Sequence, residues 1–74
     1  MKKSERTGKQ MPITLKAARV NAGFTQQEVA NRLKISKGTL ASYEMYRTIP
    51  GVDLAKRLAN LYGLDVDQII FFVE

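Results

Sequence analysis

The sequence predicts a small all-α fold of five short helices in a single domain, and three observations support it. Apolar residues recur every three or four positions from Ile13 onward, and no stretch alternates apolar and polar residues as a half-buried strand does. Residues that cap helix starts precede several of these stretches, and glycines follow two of them. A length of 74 residues allows one small core and no second domain.

The first helix is predicted to end at Gly23, because glycine adopts the left-handed backbone that closes a helix. The second helix is predicted to begin at Thr25, where Glu28 three residues later completes a capping box. The predicted inward positions are Leu15, Ala18 and Ala22 in the first helix and Val29, Ala30 and Leu33 in the second.

The third helix follows the second after only a few residues and is predicted to begin at Ser36. So short a connection makes the two axes cross steeply, with Ile35 filling the corner, which is the geometry of a helix-turn-helix unit. The third helix is predicted to bury Leu40 and Tyr43. Its outward residues are small or polar and include no carboxylate: Lys37, Gly38, Thr39, Ala41 and Ser42. A face of this kind suits a nucleic-acid groove, where an acidic side chain would meet phosphates.

A proline separates the predicted fourth helix from the third, and a glycine separates it from the fifth. Pro50 breaks the pattern, and Gly63 is predicted to end the fourth helix. Asp65 and Gln68 are predicted to cap a short fifth helix that buries Ile69. The predicted inward positions of the fourth helix are Val52, Ala55, Leu58, Ala59 and Tyr62.

The net charge of +5 is distributed unevenly along the chain. Ten Lys and Arg against three Glu give residues 1–47 a charge of +7, whereas residues 48–74 carry −2 from two basic and four acidic side chains. This pattern fits either a solvated basic surface or a face that binds a polyanion. Residues 1–12 have no apolar periodicity and are predicted to form a flexible basic arm, which either follows a nucleic-acid groove or solubilises the protein. Residues 13–74 form the predicted folded domain.

The composition argues against several classes of function. The chain has no Cys and no His, so it lacks disulfides, thiolate metal sites and the commonest general base. Asp65 and Asp67 are interpreted as helix cap and dipole partner, not as metal ligands. We therefore expect no enzyme activity, no metal, no cofactor and no small-molecule ligand. No apolar run is long enough for a membrane span or a signal peptide, which makes the cytoplasm the expected location.

From Leu15 to Phe71 the chain resembles the DNA-binding domain of the Cro and phage-repressor helix-turn-helix family. The residues that carry the resemblance are Arg19, Gly23-Phe24-Thr25-Gln26, Glu28-Val29-Ala30, Ile35-Ser36, Thr39-Leu40, Tyr43-Glu44, Arg47 and Pro50, then Leu58-Ala59, Gly63-Leu64 and Asp67 with Ile69-Ile70. The resemblance implies a five-helix transcriptional regulator, usually a repressor or activator, that binds operator DNA as a dimer. The family commonly has Gly where Lys34 stands and Asn-Gly where Met45-Tyr46 stands. Met45-Tyr46 is predicted either to lengthen the third helix or to contact the DNA backbone.

The predicted contacts with double-stranded DNA fall into two groups. The residues predicted to contact bases are Lys37, Gly38, Thr39 and Ser42, although Lys37 could hold a phosphate instead. The residues predicted to contact phosphates are Gln26, Arg47 and Lys16. The resemblance implies that Arg19 and Glu44 form an internal ion pair that joins the first helix to the third.

The apolar run at residues 69–73 suggests how two subunits could pair. A short fifth helix would turn Ile69 and Ile70 inward and leave Phe71, Phe72 and Val73 exposed as a homodimer interface. The alternative is that these residues fold back within the same subunit. A phage repressor, a restriction-modification controller and an antitoxin all fit the pattern. The rival function is a protein-interaction module of the same fold that does not bind DNA specifically.

Overall fold

A computed structural model describes residues 11–74, so all but Met11 and Pro12 of the predicted basic arm lies outside the described residues. The described chain forms a helical domain whose two ends are joined by a pair of very short strands. The elements in chain order are β1 (Ile13–Thr14), α1 (Leu15–Asn21), α2 (Gln26–Leu33), α3 (Lys37–Glu44), α4 (Val52–Leu61), a 3₁₀ helix (Val66–Gln68) and β2 (Ile69–Ile70).

The predicted fifth helix is wrong, since the described residues contain four α-helices. The predicted cap is present, because the Asp65 backbone N–H donates to Gln68 Oε1 at 2.8 Å. Only one 3₁₀ turn follows it before the backbone of Ile69 becomes extended, with φ −121° and ψ 137°. β2 then pairs in parallel with β1, with Ile13 opposite Ile69 and Thr14 opposite Ile70. The β-branched and aromatic residues that follow Gln68 favour this extended pairing over helix. The all-α class nevertheless describes the domain.

The core is built from all four helices and closed by the C-terminal segment. The largest fully buried side chains are Leu15, Val29, Leu40 and Leu58, one from each helix. The remaining buried members of the cluster are Ala18, Leu33, Ala55, Ala59, Tyr62, Ile69 and Phe71.

Three predicted positions are corrected by the burial of their side chains. Ala22 and Val52 are exposed, because Ala22 caps the end of α1 and Val52 opens α4, so both lie at helix ends. Phe71, predicted to be exposed, is only 9% exposed and packs in the core of its own subunit. The extended backbone after Gln68 turns this ring inward. Phe72 and Val73 remain exposed, at 57% and 62%.

Each of the four helices is followed by a residue with left-handed backbone. After α1 and α4 the left-handed residue is glycine, Gly23 with φ 84° and Gly63 with φ 74°. After α3 it is Tyr46 with φ 61°, and the chain leaves α2 through Lys34 with φ 58°. Lys34 and Tyr46 therefore adopt a conformation that costs about 1–2 kcal/mol for a residue with a Cβ. These are two of the positions where the chain departs from the glycine pattern of the family that it resembles.

Candidate nucleic-acid interface

The connection between α2 and α3 is short, and hydrogen bonds from backbone N–H groups fix both of its ends. Lys34 reverses the chain, and the Ile35 N–H donates to the Ala30 carbonyl at 3.0 Å. The side chain of Ile35 is half-buried against the core, as predicted for the residue at the corner. Ser36 then caps α3, since its Oγ accepts from the Thr39 N–H at 3.0 Å. α2 and α3 pack directly on each other.

The capping box of α2 has both of its hydrogen bonds. The Glu28 N–H donates to Thr25 Oγ1 at 3.1 Å, and the Thr25 N–H donates to Glu28 Oε1 at 2.8 Å. The hydrogen bond from the Thr25 backbone, together with the one from its side chain, lowers the pKa of Glu28 below its ordinary value. The start of the helix-turn-helix unit is thus fixed by local contacts that the sequence predicted.

We call Lys37, Gly38, Thr39 and Ser42 the reading face of α3. Lys37 and Gly38 are exposed, whereas Thr39 and Ser42 are half-buried. The hydroxyl oxygens of Thr39 and Ser36 lie 2.8 Å apart, so the Thr39 hydroxyl already has a partner. The methyl group of Thr39 is then the part of this side chain left for an apolar contact, and DNA contact by Thr39 stays a prediction.

Glycine at position 38 is not required by packing within the subunit. A Cβ added to Gly38 would meet only Ser36 Oγ, at 3.9 Å, which is an ordinary van der Waals distance. Its backbone also lies outside the left-handed region that favours glycine. Alanine would favour the helix more than glycine does. The glycine therefore leaves room at the surface of α3 that the fold itself does not use.

Arg19 and Glu44 form an ion pair that is almost completely buried. Arg19 Nε donates to Glu44 Oε2 at 2.7 Å and Nη2 donates to Oε1 at 3.3 Å, with side chains 10% and 3% exposed. Arg19 Nη1 also donates to the Phe24 carbonyl at 2.8 Å. The pair ties α1 and the turn after it to the end of α3. It also neutralises the carboxylate of α3, so the helix that carries the reading face presents no unpaired negative charge.

Gln26, predicted to contact a phosphate, is part of this buried network. Its Nε2 donates to Glu44 Oε1 at 3.0 Å, and the residue is half-buried at the first position of α2. The side chain thus points toward α3, which the sequence did not indicate. A phosphate could still accept from the second amide hydrogen of Gln26 and from the free N–H groups at the start of α2.

The other two residues predicted to contact phosphates are exposed. Lys16 lies on α1, and Arg47 follows the left-handed turn that ends α3. The Arg47 backbone N–H donates to the Ser42 carbonyl at 2.9 Å, which holds the start of this side chain next to the reading face. DNA contact by Lys16, Arg47 or Gln26 stays a prediction.

Tyr46 is the residue that the sequence interpretation missed. Met45 caps α3 without lengthening it, and Tyr46 turns its ring inward, away from the predicted backbone contact. The Tyr46 hydroxyl accepts from the Leu15 N–H at 3.3 Å and donates to the Ile70 carbonyl at 2.9 Å. The only sequence signal was a tyrosine where the family commonly has glycine.

Neither a metal site nor a membrane span is found in residues 11–74. No group of three or more Asp, Glu, His or Cys in this range could hold a metal ion. None of the helices there is long and apolar enough to cross a bilayer. A shallow cavity of about 340 Å³ lies between α2 and α4, lined by Arg32, Leu33, Arg57, Asn60 and Leu61.

Comparison with known proteins agrees with this arrangement. A model of the helix-turn-helix family HTH_3 matches residues 15–69. The chain is similar to the HTH-type transcriptional regulator ImmR of Bacillus subtilis, with 39% identity over 56 residues that cover 76% of this chain and 44% of the relative. It is also similar to the cryptic phage CTXphi transcriptional repressor RstR of Vibrio cholerae, with 31% identity over 52 residues, 70% of this chain and 47% of the relative.

An archaeal protein matches over nearly its whole length. This uncharacterized HTH-type transcriptional regulator of Methanothermobacter thermautotrophicus is 30% identical over 64 residues, 86% of this chain and 93% of the relative. The chain spans less than half the length of the two bacterial relatives. No solved structure matches. The family match over residues 15–69, together with the helix-turn-helix geometry of α2 and α3, shows that this chain belongs to the Cro/C1-type helix-turn-helix family.

Proposed function

We propose that this chain is a transcriptional regulator, most simply a repressor, that reads double-stranded DNA with α3 and binds a two-fold operator as a homodimer. The observation that carries the proposal is the reading face: a lysine, a glycine and two hydroxyl side chains on the second helix of the helix-turn-helix unit, with the helix's carboxylate paired internally. Lysine donates to guanine O6 and N7, and Ser and Thr contact several base edges. The names of the bacterial relatives support regulation of transcription.

Affinity in this proposal comes from phosphate contacts that flank the reading face. Arg47, Lys16 and the N–H groups at the start of α2 would fix the register of α3 on the duplex without reading sequence. Each basic side chain that neutralises a phosphate releases counterions, so binding should weaken steeply with salt. The excess of basic residues in the first 47 positions is the charge distribution that such binding requires.

Selection from a random duplex pool tests this function directly. We expect enrichment of an inverted repeat whose half-sites are centred about 10 base pairs apart, or a multiple of that spacing. The same selection with Lys37→Ala should lose about 1–3 kcal/mol of discrimination at one position of each half-site. Lys56→Ala, an exposed lysine on α4, is the matched control and should select the wild-type sequence.

Two results of the selection would count against the proposal. A pool that shows no enrichment would favour a protein-interaction module of the same fold. Unchanged base preferences for Lys37→Ala would mean that α3 does not read sequence through this lysine.

Replacing Gly38 by alanine is expected to move stability and DNA binding in opposite directions. Alanine should raise the free energy of unfolding by up to about 1 kcal/mol, because it favours helix and meets no close neighbour. The added methyl group on the reading face should weaken operator binding by about tenfold, the loss of one base contact. Urea unfolding and fluorescence anisotropy with the selected operator measure the two effects.

Gly51→Ala is the matched control, since Gly51 also has open space around its Cβ position but caps α4. Its operator affinity should stay within twofold of the wild type. Equal affinity of Gly38→Ala and wild type would remove Gly38 from the interface.

A further inference from the structure

Tyr46 holds a backbone conformation that a tyrosine adopts only at a cost. Its φ of 61° is left-handed, where glycine alone avoids a clash of its Cβ with the backbone. The turn is closed by two backbone bonds, from Tyr46 N–H to the Tyr43 carbonyl at 3.1 Å and from Arg47 N–H to the Ser42 carbonyl at 2.9 Å. Glycine would make the same turn without strain, and a gain from the Tyr46 side chain would offset part of this cost.

That gain is visible at the hydroxyl group, which joins three elements. It accepts from the N–H of Leu15, the first residue of α1, at 3.3 Å. That N–H is one of the four at a helix start with no partner inside the helix. The hydroxyl donates to the carbonyl of Ile70 in β2 at 2.9 Å. One side chain thus fastens the end of α3 to the start of α1 and to the strand pair.

We propose that Tyr46 is a positioning residue for DNA reading, whose hydroxyl fixes the C-terminal end of α3 relative to the rest of the domain. The inference rests on the proposed function of α3. The reading face ends at Ser42, and Ser42 is bonded through its carbonyl to the residue that follows Tyr46. Movement of the Tyr46 ring would therefore tilt the reading face, although Tyr46 itself contacts no DNA.

The same hydroxyl connects the reading face to the exposed C-terminal residues. Phe72 and Val73 come two and three positions after Ile70, the residue whose carbonyl Tyr46 holds. A contact that fixes this tail would also fix the Ile70 carbonyl, and through the hydroxyl it would fix the end of α3. Pairing of two subunits through the tail and orientation of the reading face are then linked through one hydrogen bond.

Tyr46→Phe tests the inference because it removes only the hydroxyl. Tyr62→Phe is the matched control, since the Tyr62 hydroxyl is buried in the same domain but has no hydrogen-bond partner. Burial raises the pKa of Tyr62 to about 12, so Tyr62→Phe changes no charge at pH 7. Tyr46→Gly, which also relieves the strained φ, separates the hydroxyl from the stability of the turn.

Two measurements on the full chain distinguish positioning from a merely structural role. Hydrogen exchange of the free protein should become faster in residues 13–15 and 69–71 for Tyr46→Phe and stay unchanged for Tyr62→Phe. Affinity for the selected operator should fall about tenfold for Tyr46→Phe and Tyr46→Gly. Affinity for an unrelated duplex should stay within twofold for all three variants.

Each alternative result has a definite meaning. An equal loss on operator and unrelated duplex, or no loss on either, would overturn the positioning role. If the wild type selects no sequence at all, the proposed function fails, and the exchange measurement still decides whether the hydroxyl holds the start of α1 and β2. Exchange in residues 13–15 and 69–71 of Tyr46→Phe that is as slow as in the wild type would overturn the holding role of the hydroxyl as well.

Discussion

Replacing Glu44 by alanine is expected to destabilise the domain by about 3–5 kcal/mol, because it leaves the Arg19 guanidinium buried without its partner. Small domains have only about 5–15 kcal/mol of stability, so this variant should be largely unfolded at moderate temperature. Arg19→Ala should be almost as severe, since Glu44 is 3% exposed and would keep only the Gln26 amide. Urea unfolding followed by circular dichroism measures both losses.

A double variant shows whether the penalty comes from the unpaired charge. Arg19→Leu combined with Glu44→Leu should cost much less than the sum of the two single changes, since neither charge is then left alone. Lys56→Ala, on the exposed side of α4, should change the free energy of unfolding by no more than about 0.5 kcal/mol. A loss below about 1 kcal/mol in Glu44→Ala would show that the pair behaves like an exposed ion pair.

Phe72→Lys is expected to lower operator affinity on the order of a thousandfold while the subunit stays folded. The structure keeps Phe71 in the core and leaves Phe72 and Val73 exposed, so the predicted dimer surface is narrowed to the last two of its three residues. A lysine at position 72 would bury an unpaired charge in a two-fold contact and favour the monomer. A monomer contacts one half-site and loses the binding free energy of the other.

Sedimentation equilibrium and operator titration together test this expectation. Val20→Lys is the matched control, because Val20 is 56% exposed on α1 and is not part of the tail. It should leave the dimer and the operator affinity unchanged. A wild-type protein that remains monomeric at high micromolar concentration would exclude the proposed dimer in solution. A Phe72→Lys protein that still dimerises would move the interface elsewhere, for example to the exposed Met45, Ile49 and Val52.

The parts of the fold that the sequence predicted are those fixed by neighbouring residues. The capping box of Thr25 and Glu28 and the cap at Ser36 involve residues three positions apart, so their pattern is visible in the sequence. Gly23 and Gly63 end their helices through their own backbone freedom. The same local logic predicted the core positions in the middle of each helix.

The parts that sequence reasoning missed depend on residues far apart in the chain. Tyr46 bonds to residues 31 and 24 positions away, and nothing near it indicates which way its ring turns. Gln26 donates to a residue 18 positions away, so its inward orientation was equally hidden. The run from Ile69 onward is apolar without a period, which distinguishes neither helix from strand. Only pairing with Ile13 and Thr14 decided it.

The parallel strand pair has a mechanical consequence. β1 and β2 run in the same direction, so the chain enters the ladder at Ile13 at one end and leaves it after Ile70 at the other. A force that pulls the two ends of the domain apart would slide the strands past each other and load their hydrogen bonds simultaneously. The Tyr46 bond to Ile70 would share that load and pass part of it to the end of α3.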